Sequence, residues 1–254
     1  AAARTPPGDL RRFAGSYRWT RNARRSAEKV LSLATDVRVR VRGDSLALEA
    51  LVPLPAEGWR RVGPLRFERG ADGHYLAFRE DERGHVSHLF LDIAGDHFAF
   101  ERVPWTRTPG VQLTLFALPM AVLLSFPVAR SAAGAARRLR RAAPAAPHGR
   151  RADGPPAIAA HAAALAAAAF TGGTLAVLAN ARELAYGPTP LLRVVLAVPI
   201  ALAALSALLV YFAAAAWGRR QWSLPSRLYY TTVAAAAAAL VAWLQAYDLL
   251  GYHL

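Results

Sequence analysis

Ser26 and Lys29 stand three residues apart in the segment SAEK. One helical turn would set the lysine amine beside the serine hydroxyl, the arrangement in which a lysine helps to deprotonate a serine nucleophile. That chemistry also needs the opposite walls of a cleft, and the chain has no S-D-N or Y-x-N after the pair and no K-T-G or H-x-G. Ser26 is therefore expected to be a solvent-facing helix cap. His85 and His88 are three apart on a predicted strand, which turns them to opposite faces where they cannot grip one metal ion. His74 and His97 fall on other predicted strands, and all four are expected at the surface. The acids of REDE, Arg79 to Glu82, mark a charged hairpin tip rather than an acid–base pair. The chain has no cysteine and no Gly-rich phosphate loop, so disulfides and thiolate metal sites are excluded. On these grounds no residue is assigned as catalytic, cofactor-binding or metal-binding.

The elements around these residues fall into two kinds. The chain has 254 residues and a net charge of +14, but residues 1–109 hold 19 of the 31 basic and 14 of the 17 acidic side chains. Within 13–107 short runs alternate apolar and polar residues, most clearly Val37, Val39 and Val41 against Arg38, Arg40 and Arg42. Period two with short turns between the runs predicts about eight antiparallel strands with one face buried, hence an up-and-down barrel or a strongly curled sheet. Inward positions are expected at Tyr17, Trp19, Val39, Leu48, Trp59, Phe67, Phe78, Phe90 and Phe100, filling the interior with aromatic rings rather than leaving a ligand cavity. Only SAEKVLSLA has a helical pattern, with Val30, Leu31 and Ala34 on one side.

Beyond Arg107 the charges stop. Gly110 to Ala129 is a run of 20 uncharged residues, and further runs cover Gly154 to Ala181, Val194 to Gly218 and Leu228 to Tyr247. Each is long enough to cross a hydrocarbon core of about 30 Å as a helix. Four membrane helices are thus expected at about 110–129, 155–181, 194–217 and 228–248, within a membrane domain 108–254. Pro119, Pro127 and Pro199 are tolerable there because neighbouring helices can satisfy the freed backbone groups. The second and fourth runs are rich in alanine, and their small side chains predict close packing in the bundle interior. His161 lies inside the second run and is expected to be neutral and hydrogen-bonded.

The loops set an expected orientation. Between the first two runs lie Arg130, Arg137, Arg138, Arg140, Arg141, Arg150 and Arg151 against Asp153 alone, and the third loop carries Arg219, Arg220 and Arg227. By the positive-inside rule loops 130–154 and 218–227 are cytoplasmic, with the β-domain and the C-terminus outside. The arginine-rich loop 130–151 suits anionic lipids. No motif or aromatic interleaving accompanies it, so nucleic acid is not expected as a partner. Arginine in place of lysine, with abundant alanine, points to a GC-rich bacterial genome. The opening AAARTPPGDL lacks an initiator Met and a signal sequence, and residues 1–12 are expected to be a linker from a further N-terminal domain.

Three stretches, DLRRFAGSYRWTRNARRSAEKVLSL, WRRVGPLRFERGADGHYLAFREDERGHVSHLFL and AFERVPW, resemble the C-terminal region of membrane-anchored serine hydrolases of the beta-lactamase-related, CubicO-type (class C) group. RRQWSLPSRLYYTTVAAAAAALVAWLQAYDLLGY resembles the final helix of the same proteins. The resemblance implies an α+β chain in two parts, a small lipocalin-like barrel followed by a four-helix transmembrane bundle. It also implies a hydrolase domain ahead of Ala1 that carries the catalytic serine, lysine and tyrosine, which would make SAEK accidental. The expected role is a non-catalytic spacer and anchor in the bacterial inner membrane. The alternative is a membrane-bound sensor whose barrel takes a lipophilic or cell-wall-derived ligand.

Overall fold

The structure is a computed structural model that describes residues 7–21, 29, 32–33, 35–50, 54, 56–70, 73–93, 95–139, 152–180, 189–220 and 222–251. It divides into two compact units, Ala1–Gln112 and Leu113–Leu254.

The first unit is a closed eight-stranded antiparallel barrel, as the alternation predicts. A short helix α1 (Pro7–Leu10) and a 3-10 turn (Arg11–Phe13) lead into β1 (Gly15–Trp19), followed by β2 (Val37–Arg42), β3 (Ser45–Glu49), β4 (Trp59–Arg61), β5 (Arg66–Arg69), β6 (His74–Glu80), β7 (Val86–Ile93) and β8 (Asp96–Val103). Each strand pairs with the next, and β1 closes the ring on β8 through Ser16↔Val103 and Trp19↔Phe100. Closure removes the free edges that an open sheet would offer to other chains. The hairpin between β2 and β3 shows the local logic. Arg42 pairs with Ser45, leaving a two-residue loop, and Gly43 sits at φ 61°, the left-handed value that such turns need at their first position.

Inside, Tyr17, Val37, Val39, Leu46, Leu48, Trp59, Phe67, Leu76, Phe78, Leu89, Leu91 and Phe100 form one buried cluster. Trp19 packs against it partly buried. Phe90 differs from expectation: it is 37% exposed on the outer face. Its neighbours explain this, since Leu89 stands opposite Phe78 and Phe100, and Phe90 opposite Ala77 and Ala99. Directly paired residues share a face, so Leu89 takes the inward place. The expected linker also differs, because from Pro7 it is structured and Leu10 is wholly buried in the barrel core. Of the predicted helix SAEKVLSLA only Lys29, Ser32 and Leu33 are described. Ser26, Val30, Leu31 and Ala34 lie outside the described residues.

The second unit comprises four helices: α2 (Pro109–Leu139, beginning in the first unit), α3 (Pro155–Ala179), α4 (Pro190–Gly218) and α5 (Leu224–Ala246). All four are long and apolar enough to cross a membrane. The first runs ten residues past its uncharged stretch, through Arg130, since arginine is a good helix former and does not end a helix. Neighbours run antiparallel. Gly173 near the end of α3 meets Val195 near the start of α4, and Trp217 near the end of α4 donates Nε1–H to Thr231 Oγ1 near the start of α5 at 3.0 Å. Phe116 and Trp243 bring the opposite ends of α2 and α5 together, with ring centroids 4.9 Å apart.

α3 is built inside out relative to a soluble helix. Ala157, Ala160, Ala163, Ala164 and Ala167 are buried, while Ile158 and Leu165 are 69% and 71% exposed. Small side chains let backbones approach, and large ones face outward, which is the pattern of a helix solvated by lipid. α5 is the most enclosed of the four, as its alanines predict, but α3 is less enclosed than α4. Alanine on one stripe of α3 packs closely without burying the rest of the helix.

Candidate functional site

A barrel of this kind has one obvious place for a ligand, its interior, and here side chains occupy it. Phe13 stacks edge-on to Phe67 at 5.0 Å and lies 4.7 Å from Phe78, while Phe67 and Phe78 meet at 5.6 Å and Tyr17 and Phe78 at 6.0 Å. The Tyr17 hydroxyl donates to the Phe13 carbonyl at 2.7 Å. Burial pushes this phenol up to about 12, only partly opposed by the nearby Arg102 guanidinium.

The segment ahead of β1 plugs one end. Leu10 and Phe13 insert into the core, and polar contacts hold the backbone behind them. Arg61 pairs with Asp9 and Arg12 pairs with Glu80. Arg61 also donates to the carbonyls of Gly63 at 2.9 Å and Pro64 at 2.7 Å. Arg102 stands opposite Tyr17 in the sheet and therefore shares its inward face. It donates to the carbonyls of Arg12 at 3.2 Å, Val86 at 3.3 Å and Ala14 at 2.8 Å. A guanidinium carries five donors in a planar fork, which suits it to gather carbonyls that strand pairing leaves unmet. Sequence reasoning missed this plug. The available signal was parity, since counting inward from Phe100 by two lands on Arg102.

Another cluster lies where the barrel gives way to α2. Arg18 Nε and Nη2 meet the two carboxylate oxygens of Asp36 at 2.8 and 2.9 Å, and Nη2 also donates to the Arg107 carbonyl at 2.8 Å. Burial pushes the Asp36 carboxyl above its ordinary value, with Arg18 acting against that rise. Arg107 closes the 3-10 turn Trp105–Arg107 just before α2. Thr108 Oγ1 donates to Trp105 O at 2.7 Å and Gln112 Nε2 to Thr106 O at 2.7 Å.

The residues singled out for chemistry are not brought together. His85 caps the β6–β7 hairpin, where Asp81 Oδ1 accepts from the amides of Arg83 and His85 at 2.9 Å each; the His85 amide is the main cause holding that carboxyl below its usual range. His88 lies on the outer face, stacked on Phe90 at 6.3 Å, and His97 pairs with Asp92 at 2.7 Å. His74 begins β6. Among the described residues no group of three or more His, Asp or Glu is placed to hold a metal ion. In α3, His161 Nδ1 lies 2.7 Å from the Ala157 carbonyl and its ring meets Phe126 edge-on at 5.2 Å.

Compared with protein-family models, with curated proteins and with solved structures, the chain matches none.

Proposed function

We propose that the chain is the non-catalytic spacer and membrane anchor of a beta-lactamase-related serine hydrolase whose catalytic domain lies outside these residues. The single observation that carries this reading is the occupied barrel. The aromatic rings of Tyr17, Trp59, Phe67, Phe78 and Phe100, with the inserted Leu10–Phe13 segment, take the space a ligand would need. Such a domain contributes size and attachment rather than binding, which agrees with the lipocalin-like region of the family that the sequence resembles. The sensor alternative requires an apolar cavity with a few polar groups inside it, and the filled core speaks against that.

In this reading the four helices sit in the bacterial inner membrane as a multi-pass anchor. The barrel and the C-terminus are extracytoplasmic, loops 130–154 and 218–227 are cytoplasmic, and the arginine-rich loop 130–151 meets anionic lipids. A helical anchor holds far more firmly than a single lipid chain.

The test is to sequence the gene ahead of the codon for Ala1. An open frame encoding Ser-x-x-K and Y-x-N supports the hydrolase; a start codon immediately upstream removes it. The orientation is checked separately with a phosphatase reporter fused after Leu254, which is active only outside the cytoplasm.

A further inference from the structure

We propose that a cleft between α2, the residues just ahead of α3 and the first turns of α5 is a specific site for the phosphate-bearing headgroup of an anionic membrane lipid. Arg130 is its cationic contact, and Phe126, Ala129 and Ala133 form its apolar wall. The inference rests on the reading of these helices as membrane-spanning and goes beyond the general attraction of the arginine-rich loop, because it names a built site.

Aromatic rings that join α2 to α5 line the cleft. Phe126 stacks on Tyr229 at 6.1 Å and meets Tyr230 edge-on at 6.2 Å, and both tyrosines are fixed in turn. The Tyr229 hydroxyl bonds Ser125 at 2.8 Å, and the Tyr230 hydroxyl donates to Pro156 O at 2.9 Å. Beside these rings is a space of about 440 Å³ that Arg130, Asp153 and Ser226 also line. It is apolar on one side and cationic on another. Arg130 is the first charge after the uncharged run of α2, and Asp153 the last before that of α3. The opening therefore lies at the depth where headgroups meet hydrocarbon, the level that tyrosines favour. Basic pockets between membrane helices are established seats for lipid phosphates.

Arg130 is positioned but not used up. Nη1 donates to Ala152 O at 2.7 Å and Nη2 to Asp153 Oδ1 at 2.7 Å, and among the described residues Nε–H makes no hydrogen bond. The Asp153 side chain is 70% exposed, so water screens its hold on the guanidinium. A phosphate would compete with that carboxylate for the same fork. This gives the site a signature that diffuse loop attraction lacks: removing the Asp153 charge should tighten binding.

The test uses the full chain in detergent and counts retained lipid by native mass spectrometry. The probes are a phosphatidylglycerol, a phosphatidylcholine with the same acyl chains, and inorganic phosphate. The expected result is one phosphatidylglycerol held per chain in preference to phosphatidylcholine, with retention lowered about fivefold in Arg130→Gln and raised in Asp153→Asn. Ala133→Phe fills the cleft without changing any charge and should abolish the preference while circular dichroism shows unchanged helix content. Retention of phosphatidylglycerol by Ala133→Phe at the wild-type level would overturn the site and return the lipid to the arginine-rich loop. Displacement by inorganic phosphate at concentrations equal to the lipid would overturn the lipid assignment. A chain that stays monomeric in buffer without detergent would instead remove the membrane reading beneath it.

Discussion

Arg18 grips Asp36 with two parallel hydrogen bonds of 2.8 and 2.9 Å and holds the carbonyl of Arg107 with the same Nη2. One side chain thus joins β1, the residue ahead of β2 and the turn after β8. The pair is largely buried, which makes losing either partner expensive because the other charge remains.

Arg18→Gln is expected to destabilise the barrel by about 3 kcal/mol at neutral pH. The loss should appear as faster hydrogen exchange in β1, β2 and β8 of the detergent-solubilised chain. The penalty should shrink on acidification. The folded Asp36 carboxyl lies above its unfolded value of 3.8, so its contribution is fully present below that value and is lost as pH rises through the folded value. Without Arg18 the folded value climbs further, so the variant is most handicapped when the carboxyl is ionised. An equal penalty at pH 4 and pH 7 would contradict this account.

Tyr17 should remain a phenol far into alkali. With its folded value near 12 against 10.0 for the free group, native stability falls as pH rises through that interval. Tyr17→Phe should cost about 1 kcal/mol at neutral pH by deleting the bond to Phe13 O, and should flatten the alkaline decline. Absorbance at the phenolate wavelength during alkaline titration, compared between wild type and variant, reads the delayed ionisation directly.

Gly15 should not accept a larger residue. A Cβ there would stand 3.1 Å from Arg102 Nε, and that guanidinium is already committed to three carbonyls. Gly15→Val is expected to cost about 1–3 kcal/mol as overpacking, read as a lower thermal midpoint. By contrast Phe90→Ser, on the outer face, loses mainly its stack on His88 and should cost about 1 kcal/mol or less.

Leu165→Arg separates lipid from water as the medium around α3. Leu165 is 71% exposed, and in water an arginine there would be harmless. In hydrocarbon it should cost about 2.5–3.5 kcal/mol of insertion free energy, visible as a fall in the membrane-integrated fraction in a translocation assay.

Gly173 and Val195 should behave as a coupled pair. A Cβ at Gly173 would come within 2.5 Å of Val195 Cγ2, and valine is stiff about its first torsion. Gly173→Ala should weaken α3–α4 packing by about 1–3 kcal/mol and be rescued by Val195→Ala, giving a non-additive double-mutant cycle in denaturation by detergent.

The strands and helices were legible because each carries its own period. VRVRVR alternates without ambiguity, and the membrane helices announce themselves by missing charge. Parity failed at Leu89–Phe90–Leu91, where three apolar residues in a row leave the strand no preference, and partners on β6 and β8 decide which faces inward. The plug was illegible for a related reason. Leu10 and Phe13 flank two arginines in DLRRF, and only a closed barrel with an open end gives them somewhere to go. The cleft depends on contacts such as Ser125 with Tyr229, 104 positions apart, which no local pattern encodes.

The pairing of Ser16 with Val103 puts the entrance and exit of the barrel on the same rim, since β1 and β8 run in opposite directions. Tension applied between the residues ahead of β1 and those following β8 would therefore open their hydrogen bonds one after another, like a zipper, instead of loading them together in shear. The barrel would yield gradually at this seam once the Arg61–Asp9 and Arg12–Glu80 pairs of the plug have parted, with Arg102 on Ala14 and Arg18 on Arg107 giving way next.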